Sequence, residues 1–193
     1  MFLSDQYIEQ LANQGMITPF TSELVRRTED KGILSYGLSS YGYDVRLSPD
    51  DFKIFRHIPG TVVNPKAFNP ENLEKAKLHQ DEYGQFFILP AHSYGLGVVM
   101  ECLDMPPNIT AVVLNKSSLV RCGVLMPATV VEAGWHGYLT LEISNSSHTD
   151  CRIYANEGIG QLLFFEGEKC ATSYGDRTGK YQNQLAEITL PRI

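Results

Sequence analysis

The chain has 193 residues, of which 43% are hydrophobic and 20% are charged, and its 16 Lys and Arg against 22 Asp and Glu give a formal net charge of −6 at pH 7. This length suits one globular domain or two small ones with a full apolar core. The negative charge provides no overall positive field, so DNA and RNA are not expected partners. A phosphorylated small molecule is still a possible ligand, because a few well-placed Lys and Arg can bind it within an acidic protein.

The cysteines contain no CxxC pair, so the sequence predicts buried free thiols in a reducing compartment rather than a zinc ribbon or a disulfide framework. No apolar run approaches the roughly 20 residues that a bilayer-spanning helix needs. The first residues also lack the basic start of a secretory signal. We therefore expect a cytoplasmic protein with no membrane partner.

In chain order, the first predicted element is a short helix over Asp5 to Asn13, with Ser4 as its N-cap and Gly15 as a left-handed stop. Beyond it, short runs rich in β-forming residues alternate with Gly, Pro and Asn, which predicts a mainly β protein built as a barrel or sandwich. The predicted strands are Tyr43 to Leu47, Phe52 to Phe55, Gln85 to Leu89, Leu96 to Met100, Ile109 to Leu114, Tyr138 to Ser144 and Gln161 to Phe165.

Three segments are predicted to lie outside these strands. The repeated Ser-Tyr-Gly of Ser35 to Gly42 indicates a turn-rich approach to the first strand, and residues 64–83 indicate a long loop with one helical turn and no domain boundary. Residues 172–184 carry no aliphatic side chain, so burial cannot hold them and they either fray or become ordered by a ligand. The whole chain, 1–193, is thus predicted as a single domain with residues 172–193 as a closing tail.

Several kinds of enzyme are disfavoured by missing motifs. The histidines show neither HExxH spacing nor the His-x-Glu with Pro-Cys-x-x-Cys of zinc deaminases, so a protein-held zinc site is not expected and we predict no metal ligands. The phosphate loop of nucleotide kinases, the GxGxxG turn and the GxSxG nucleophile elbow are also absent from the sequence.

Two segments carry residues that could bind a substrate or catalyse a reaction. Lys116 to Arg121 combines two cations with two hydroxyls and could bind phosphates, although taken alone it fits a solvated turn better. Tyr138 to Ser144 alternates strictly, which places Glu142 at mid-strand on the polar face. If that face lines a pocket, burial would raise the pKa of Glu142 and make it a general acid and base; otherwise it is an ordinary exposed glutamate.

Two further segments flank that strand in the sequence. Glu132 to Gly137 forms a tight turn before it and adds a second carboxylate, although its glycines and Trp135 also fit a plain turn and core residue. Tyr174 to Gln184 is a polar segment able to close over an anion, or a disordered terminus if considered alone.

Taken together, the order and spacing of five segments resemble the dCTP deaminase family over most of the chain. They are Ser35 to Arg46, Lys116 to Gly123, Gly134 to Glu142, Ile153 to Gln161 and Tyr174 to Gln184. The resemblance implies a distorted β-barrel of the dUTPase-like type, a homotrimer, and hydrolytic deamination of dCTP to dUTP and ammonia without a protein-held metal. It also implies Mg²⁺ carried by the triphosphate and dTTP as a candidate feedback inhibitor.

The resemblance assigns roles by position. Glu142 matches the glutamate that moves protons, and Glu132 matches an acidic residue that faces the sugar. Ser117 would help to order the attacking water in the absence of a metal. The other matched positions would contact the base, the sugar or the phosphates, and they are Lys116, Ser118, Arg121, Thr140, Leu141, Gln161, Tyr174, Lys180 and Gln184.

The chain departs from the family pattern at Met126 to Gly134, and Asn115 stands where the pattern has Gly. Gly134 before Trp135 resembles the sequence of family branches that also cleave dUTP to dUMP and pyrophosphate. A bifunctional enzyme is therefore an alternative. A dUTP pyrophosphatase is the nearest rival, but residues 172–184 lack the Phe of its glycine-rich arm. A non-catalytic nucleotide-binding trimer is a third reading, and the presence of Glu142 argues against it.

Overall fold

The computed structural model describes residues 1–28 and 31–193, which are mostly β strand. The helices are α1 (Asp5–Ala12), α2 (Ser117–Val120) and a 3₁₀ turn at Pro70–Asn72. The strands are β1 (Ile17–Thr18), β2 (Leu24–Thr28), β3 (Lys31–Ser39), β4 (Gly42–Phe55), β5 (Leu73–Lys75), β6 (His79–Asp81), β7 (Gly84–Leu89), β8 (Tyr94–Asp104), β9 (Ile109–Asn115), β10 (Val124–Leu125), β11 (Thr129–Val131), β12 (His136–Asn145), β13 (Cys151–Tyr154) and β14 (Gly158–Glu166).

The predicted N-terminal helix is confirmed. It buries Ile8 and Leu11 against the sheet, and Gly15 follows it with φ at 103°, the left-handed geometry that favours glycine. Ser4 occupies the N-cap position, but its side chain makes no capping hydrogen bond.

A large antiparallel sheet carries the fold, in the order β10-β12-β8-β4-β14-β9-β11, with β1, β2, β3 and β5 attached at its sides. The long strand β4 pairs with β14 through its first half and with β8 through its second half, and the register shifts between Leu47 and Phe52. Such an irregularity bends a strand, so β4 lets the sheet curl around the core. A small sheet, β13-β7-β6, closes the remaining side.

The core lies inside this curl. It is lined by the inward-facing residues of the central strands, including the fully buried Tyr43, Phe52, Phe87 and Phe164. Phe52 and Phe87 stack with ring centroids 4.8 Å apart. The predicted mainly β fold, a distorted barrel with a short N-terminal helix, is confirmed by this architecture.

Three predictions of local structure are corrected in whole or in part. In the Ser-Tyr-Gly repeat, Ser40 and Tyr41 form a turn between β3 and β4 as predicted, but Ser35 to Gly37 lie in β3. Gly37 (φ 98°) fits there because a Cβ would clash with the carbonyl oxygen of Glu23. The two runs predicted within residues 43–55 form one strand, and residues 64–83 contain β5 and β6 beside the predicted helical turn.

The four cysteines are free, but the prediction that they are buried is wrong: Cys122 is exposed and the other three are half-buried. In the described ranges, no helix combines the length and apolar character that crossing a membrane requires.

Candidate active site

Strand β12 presents Glu142 as its alternation predicts. Leu139, Leu141 and Ile143 are buried in the core, while Thr140 and Glu142 are half-buried on the opposite face. The strand is held on one side by β8 and at its end by β10. Glu142 is therefore fixed on a rigid element and is not an ordinary exposed glutamate.

Glu142 lines a cavity of about 370 Å³, which we name the carboxylate cavity. Its apolar wall includes Phe55, Tyr94, Leu96 and Trp135. Burial raises the pKa of the Glu142 carboxyl above its ordinary value, and the opposing effect of a backbone N–H is smaller. Burial and the nearby charge of Glu142 also raise the pKa of Tyr94. A raised pKa makes a carboxylate a stronger base, which suits a group that must accept a proton and return it.

Four other residues singled out in the sequence share the carboxylate cavity: Glu132, Thr140, Tyr174 and Gln184. Glu132 is exposed and Gln184 is buried. The hydroxyl Oγ1 of Thr140 already accepts a hydrogen bond from the backbone N–H of Thr189 at 3.0 Å. The cavity thus brings two carboxylates and part of the polar tail together.

The polar tail, residues 174–184, is docked onto the start of β12 by hydrogen bonds. The indole Nε1 of Trp135 donates to the carbonyl of Tyr181 at 2.9 Å, and the N–H of Tyr138 donates to the carbonyl of Gln184 at 3.1 Å. Trp135 is also buried in the core, so this side chain both packs in the core and holds the tail.

Gly134 permits this docking. Its φ is 78°, and a Cβ at this position would lie only 2.6 Å from the Cβ of Ser173. A side chain at Gly134 would therefore push the tail away. The close packing of the tail explains why glycine occupies position 134, whether or not the protein also cleaves dUTP.

A second cavity of about 420 Å³, which we name the hydroxyl cavity, is lined by the predicted residues Lys116, Ser117, Ser118 and Gln161. Ser117 and Ser118 are exposed at the start of α2. Asp44, Ser35, Asn115 and Arg26 also line this cavity, and sequence reasoning assigned no site role to any of the four.

Lys116 is already paired within the protein. Its Nζ forms an ion pair with Oδ2 of Asp44 and donates to Oγ of Ser35 at 3.2 Å, and the side chains of both Lys116 and Asp44 are largely buried. The other carboxylate oxygen of Asp44, Oδ1, is buried and has no hydrogen-bond partner within residues 1–28 and 31–193. Lys116 is therefore less available to a phosphate than its position in the sequence indicates. In the sequence, Asp44 stands out only as a carboxylate within the predicted strand Tyr43 to Leu47.

Three predicted site residues line neither cavity. Arg121 is exposed just after α2, Lys180 is exposed on the tail, and Leu141 is buried in the core with only its backbone beside Glu142. Thr189 and Pro191, near the end of the chain, also line the carboxylate cavity, and the sequence did not indicate a site role for either residue.

Two other carboxylates are buried outside these cavities. Glu101 is fully buried and accepts from both Nε and the backbone N–H of Arg46, at 2.7 and 2.9 Å, and burial raises its pKa despite this pairing. Glu157 accepts from the N–H of Leu34 at 2.7 Å, and its pKa is likewise raised by burial. Across residues 1–28 and 31–193, no three His, Cys, Asp or Glu side chains cluster as a metal site would require.

Comparisons with known proteins show to which family the chain belongs. A family model described as dCTP deaminase-like matches residues 2–167. The chain is 46% identical over 192 residues to a dCTP deaminase of Azoarcus sp. (strain BH72), covering 98% of both chains, and 48% identical over 191 residues to one of Sulfurovum sp. (strain NBC37-1), covering 98% of this chain and 95% of the other.

A solved structure shares the fold. The 2'-deoxycytidine 5'-triphosphate deaminase of Agrobacterium tumefaciens matches with a TM-score of 0.58 and 18% identity, over 86% of this chain and 47% of that one. This match agrees with the predicted mainly β fold class.

Proposed function

This chain belongs to the dCTP deaminase-like family, and we propose that it is an enzyme that hydrolyses dCTP to dUTP and ammonia. The observation that carries the proposal is Glu142, a half-buried carboxylate on a rigid strand, facing a cavity of nucleoside size with its pKa raised. The product dUTP would supply dUMP for thymidylate synthesis.

One carboxylate can move every proton of this reaction. In the proposed mechanism, Glu142 takes a proton from water as the water oxygen bonds to the amino-bearing carbon of cytosine, and gives that proton to the adjacent ring nitrogen. Glu142 then transfers the second water proton to the amino group, the carbon–nitrogen bond breaks and ammonia leaves. We propose that Ser117 orders the attacking water together with main-chain carbonyls, because no step is assigned to a protein-held metal.

We further propose a homotrimer in which each site lies between two subunits. In the sheet order, β9, which leads into Ser117, is four strand positions from β12, which carries Glu142. Within the described residues, the carboxylate cavity of Glu142 and the hydroxyl cavity of Ser117 share no lining residue, so these two side chains of one chain are poorly placed for a single water. A neighbouring copy would bring its hydroxyl cavity to the carboxylate cavity.

A mixing experiment tests this arrangement. Glu142→Gln and Ser117→Ala proteins, each nearly inactive, are unfolded together and refolded at equal amounts. If the two residues act from different subunits, about one site in four regains both groups and activity returns. No recovery, or a fully active monomer by light scattering, contradicts the shared site.

The other residues are assigned to substrate binding. Glu132 would face the sugar, and the backbone of Thr140 and Leu141 would contact the pyrimidine. Residues that would hold the nucleotide and its phosphates are Lys116, Ser118, Arg121, Gln161, Tyr174, Lys180 and Gln184. Mg²⁺ would arrive bound to the triphosphate as part of the substrate, and dTTP would compete for the same site. We also propose the cytoplasm as the compartment, since free cysteines fit a reducing environment.

Glu132 supports a second candidate, the bifunctional deaminase and dUTP pyrophosphatase, because it adds another carboxylate to the carboxylate cavity. The test is to incubate the protein with dCTP and Mg²⁺ and to measure ammonia, dUTP, dUMP and pyrophosphate separately. Ammonia with dUTP supports the deaminase, and dUMP with pyrophosphate supports the bifunctional enzyme. Nucleotide binding without ammonia refutes both.

Glu142→Gln is the most direct mutation. The amide keeps the size of the side chain but accepts no proton from water, so we expect ammonia release to fall by a factor approaching 10,000, the upper end for loss of a general acid and base. Binding of dCTP, measured by calorimetry, and the unfolding midpoint should change little. Glu74→Gln, at an exposed glutamate of β5, is the matched control and should retain full activity. If the Glu142→Gln protein is active, another group must act as the base, and Glu132 is the first candidate.

A further inference from the structure

Asn115 ends β9 immediately before the segment that carries Lys116, Ser117 and Ser118. Its side-chain Oδ1 accepts a hydrogen bond from the backbone N–H of Met126 at 2.5 Å. This bond joins positions eleven residues apart and closes the loop that contains α2. A single side chain therefore fixes both ends of the segment with the exposed hydroxyls.

The closed loop lies between the two cavities. On one side of the bond, Asn115, Ser117 and Ser118 line the hydroxyl cavity. On the other side, the chain leaves Met126 and enters β11, from which Thr129 and Val130 line the carboxylate cavity. Movement at the bond would consequently displace groups in both cavities.

The donor of this bond is held by packing as well. The side chain of Met126 is buried, and its terminal methyl carbon lies 3.1 Å from the position that a Cβ on Gly160 would occupy. Gly160 is in turn the direct strand partner of Asn115. Asn115, Gly160 and Met126 thus form one packed unit that anchors the loop.

We infer that Asn115 is a positioning residue, which sets the place of the Ser117 and Ser118 hydroxyls relative to β11 and so affects both the ordering of the attacking water and the binding of the nucleotide. The inference rests on the proposed function for its substrate. The bond is only partly buried and is made with the protein backbone, so its loss should weaken the placement of both hydroxyls without removing any group that takes part in proton transfer.

The first test compares Asn115→Gly, Asn115→Asp and a control, Asn108→Ala, which removes a side-chain hydrogen bond at the opposite end of β9. Loss of one hydrogen bond should raise KM for dCTP by roughly threefold to tenfold in Asn115→Gly, and kcat should fall as well because Ser117 orders the attacking water. Asn115→Asp keeps the acceptor and should restore KM at high salt, where its added charge is screened. The control should leave KM unchanged.

A second test does not depend on turnover. Arg121 is exposed within the closed loop, so trypsin cleavage after Arg121 should be faster in Asn115→Gly than in the parent and normal in Asn115→Asp. Gly160→Ala, which presses on Met126 from outside both cavities, should also speed this cleavage.

The outcomes separate the inference from the proposed function. Unchanged KM and unchanged cleavage in Asn115→Gly overturn the positioning role. A raised KM that Asn115→Asp fails to restore at high salt also overturns it, because the amide N–H would then contact the substrate directly. A parent protein that releases no ammonia refutes the proposed function, and the cleavage experiment still decides the role of Asn115.

Discussion

The end of the chain is held by one buried isoleucine, and this anchor can be tested quantitatively. Ile188 is 6% exposed and packs against Leu96 and Val98 of β8. Its N–H donates to Oδ2 of Asp51 at 2.8 Å. The next residue, Thr189, lines the carboxylate cavity, so release of Ile188 would open that cavity.

The change Ile188→Ala removes three buried carbon atoms. At about 0.8 kcal/mol for each, docking of the chain end loses about 2.4 kcal/mol. With RT near 0.59 kcal/mol, this corresponds to an approximately 60-fold shift toward the undocked tail. Because the tail lies outside the main core, we expect the free energy of global unfolding to change much less.

Limited trypsin cleavage measures the undocked population directly, since cleavage follows the fraction open when closing is fast. We expect cleavage after Lys180 in Ile188→Ala to accelerate by at least tenfold and at most about 60-fold, and KM for dCTP to rise with it. Leu185→Ala is the matched control, because Leu185 lies on the same segment but is 67% exposed. Equal cleavage rates in the two variants would refute the anchor.

Three further predictions concern the charged residues Glu142, Glu101 and Lys180. Because burial raises the pKa of Glu142 and its carboxylate form is the base, kcat/KM should rise with pH through a midpoint above that of an ordinary glutamate, and Glu142→Gln should abolish this limb. Glu101→Gln should lower the free energy of urea unfolding by about 3 kcal/mol, since it leaves Arg46 partly buried and unpaired. Lys180→Ala should raise KM for dCTP severalfold in steady-state assays with little effect on kcat, because an exposed lysine acts on the triphosphate only as a point charge.

Elements with a strict period were predictable from the sequence. The alternation of Tyr138 to Ser144 placed Glu142 on the polar face of β12, and the structure agrees residue by residue. The helical spacing of Ile8 and Leu11 likewise identified α1. In both cases a local rule decides the outcome, because which face is buried depends only on the repeat of the element itself.

The hairpin β2–β3 was missed because its residues look like turn residues. Ser, Tyr and Gly in Ser35 to Gly42 favour turns locally. The strand forms nonetheless because β3 pairs with both β2 and β4, and hydrogen bonding to a strand on each side outweighs local preference. Arg26 on β2 was missed with it, although it lines the hydroxyl cavity.

The partner of Lys116 could not be predicted either, and it changes how the phosphates would be bound. Lys116 and Asp44 are 72 positions apart and meet only after β14 brings β9 and β4 to the same side of the sheet. Because that carboxylate offsets the lysine charge, the hydroxyl cavity alone offers a triphosphate mainly Arg26 and neutral donors. Further positive charge would have to come from the exposed Arg121 and Lys180. Tight binding of the nucleotide should therefore require the tail to be docked, which makes the apolar anchor at Ile188 part of substrate recognition although it contacts no phosphate.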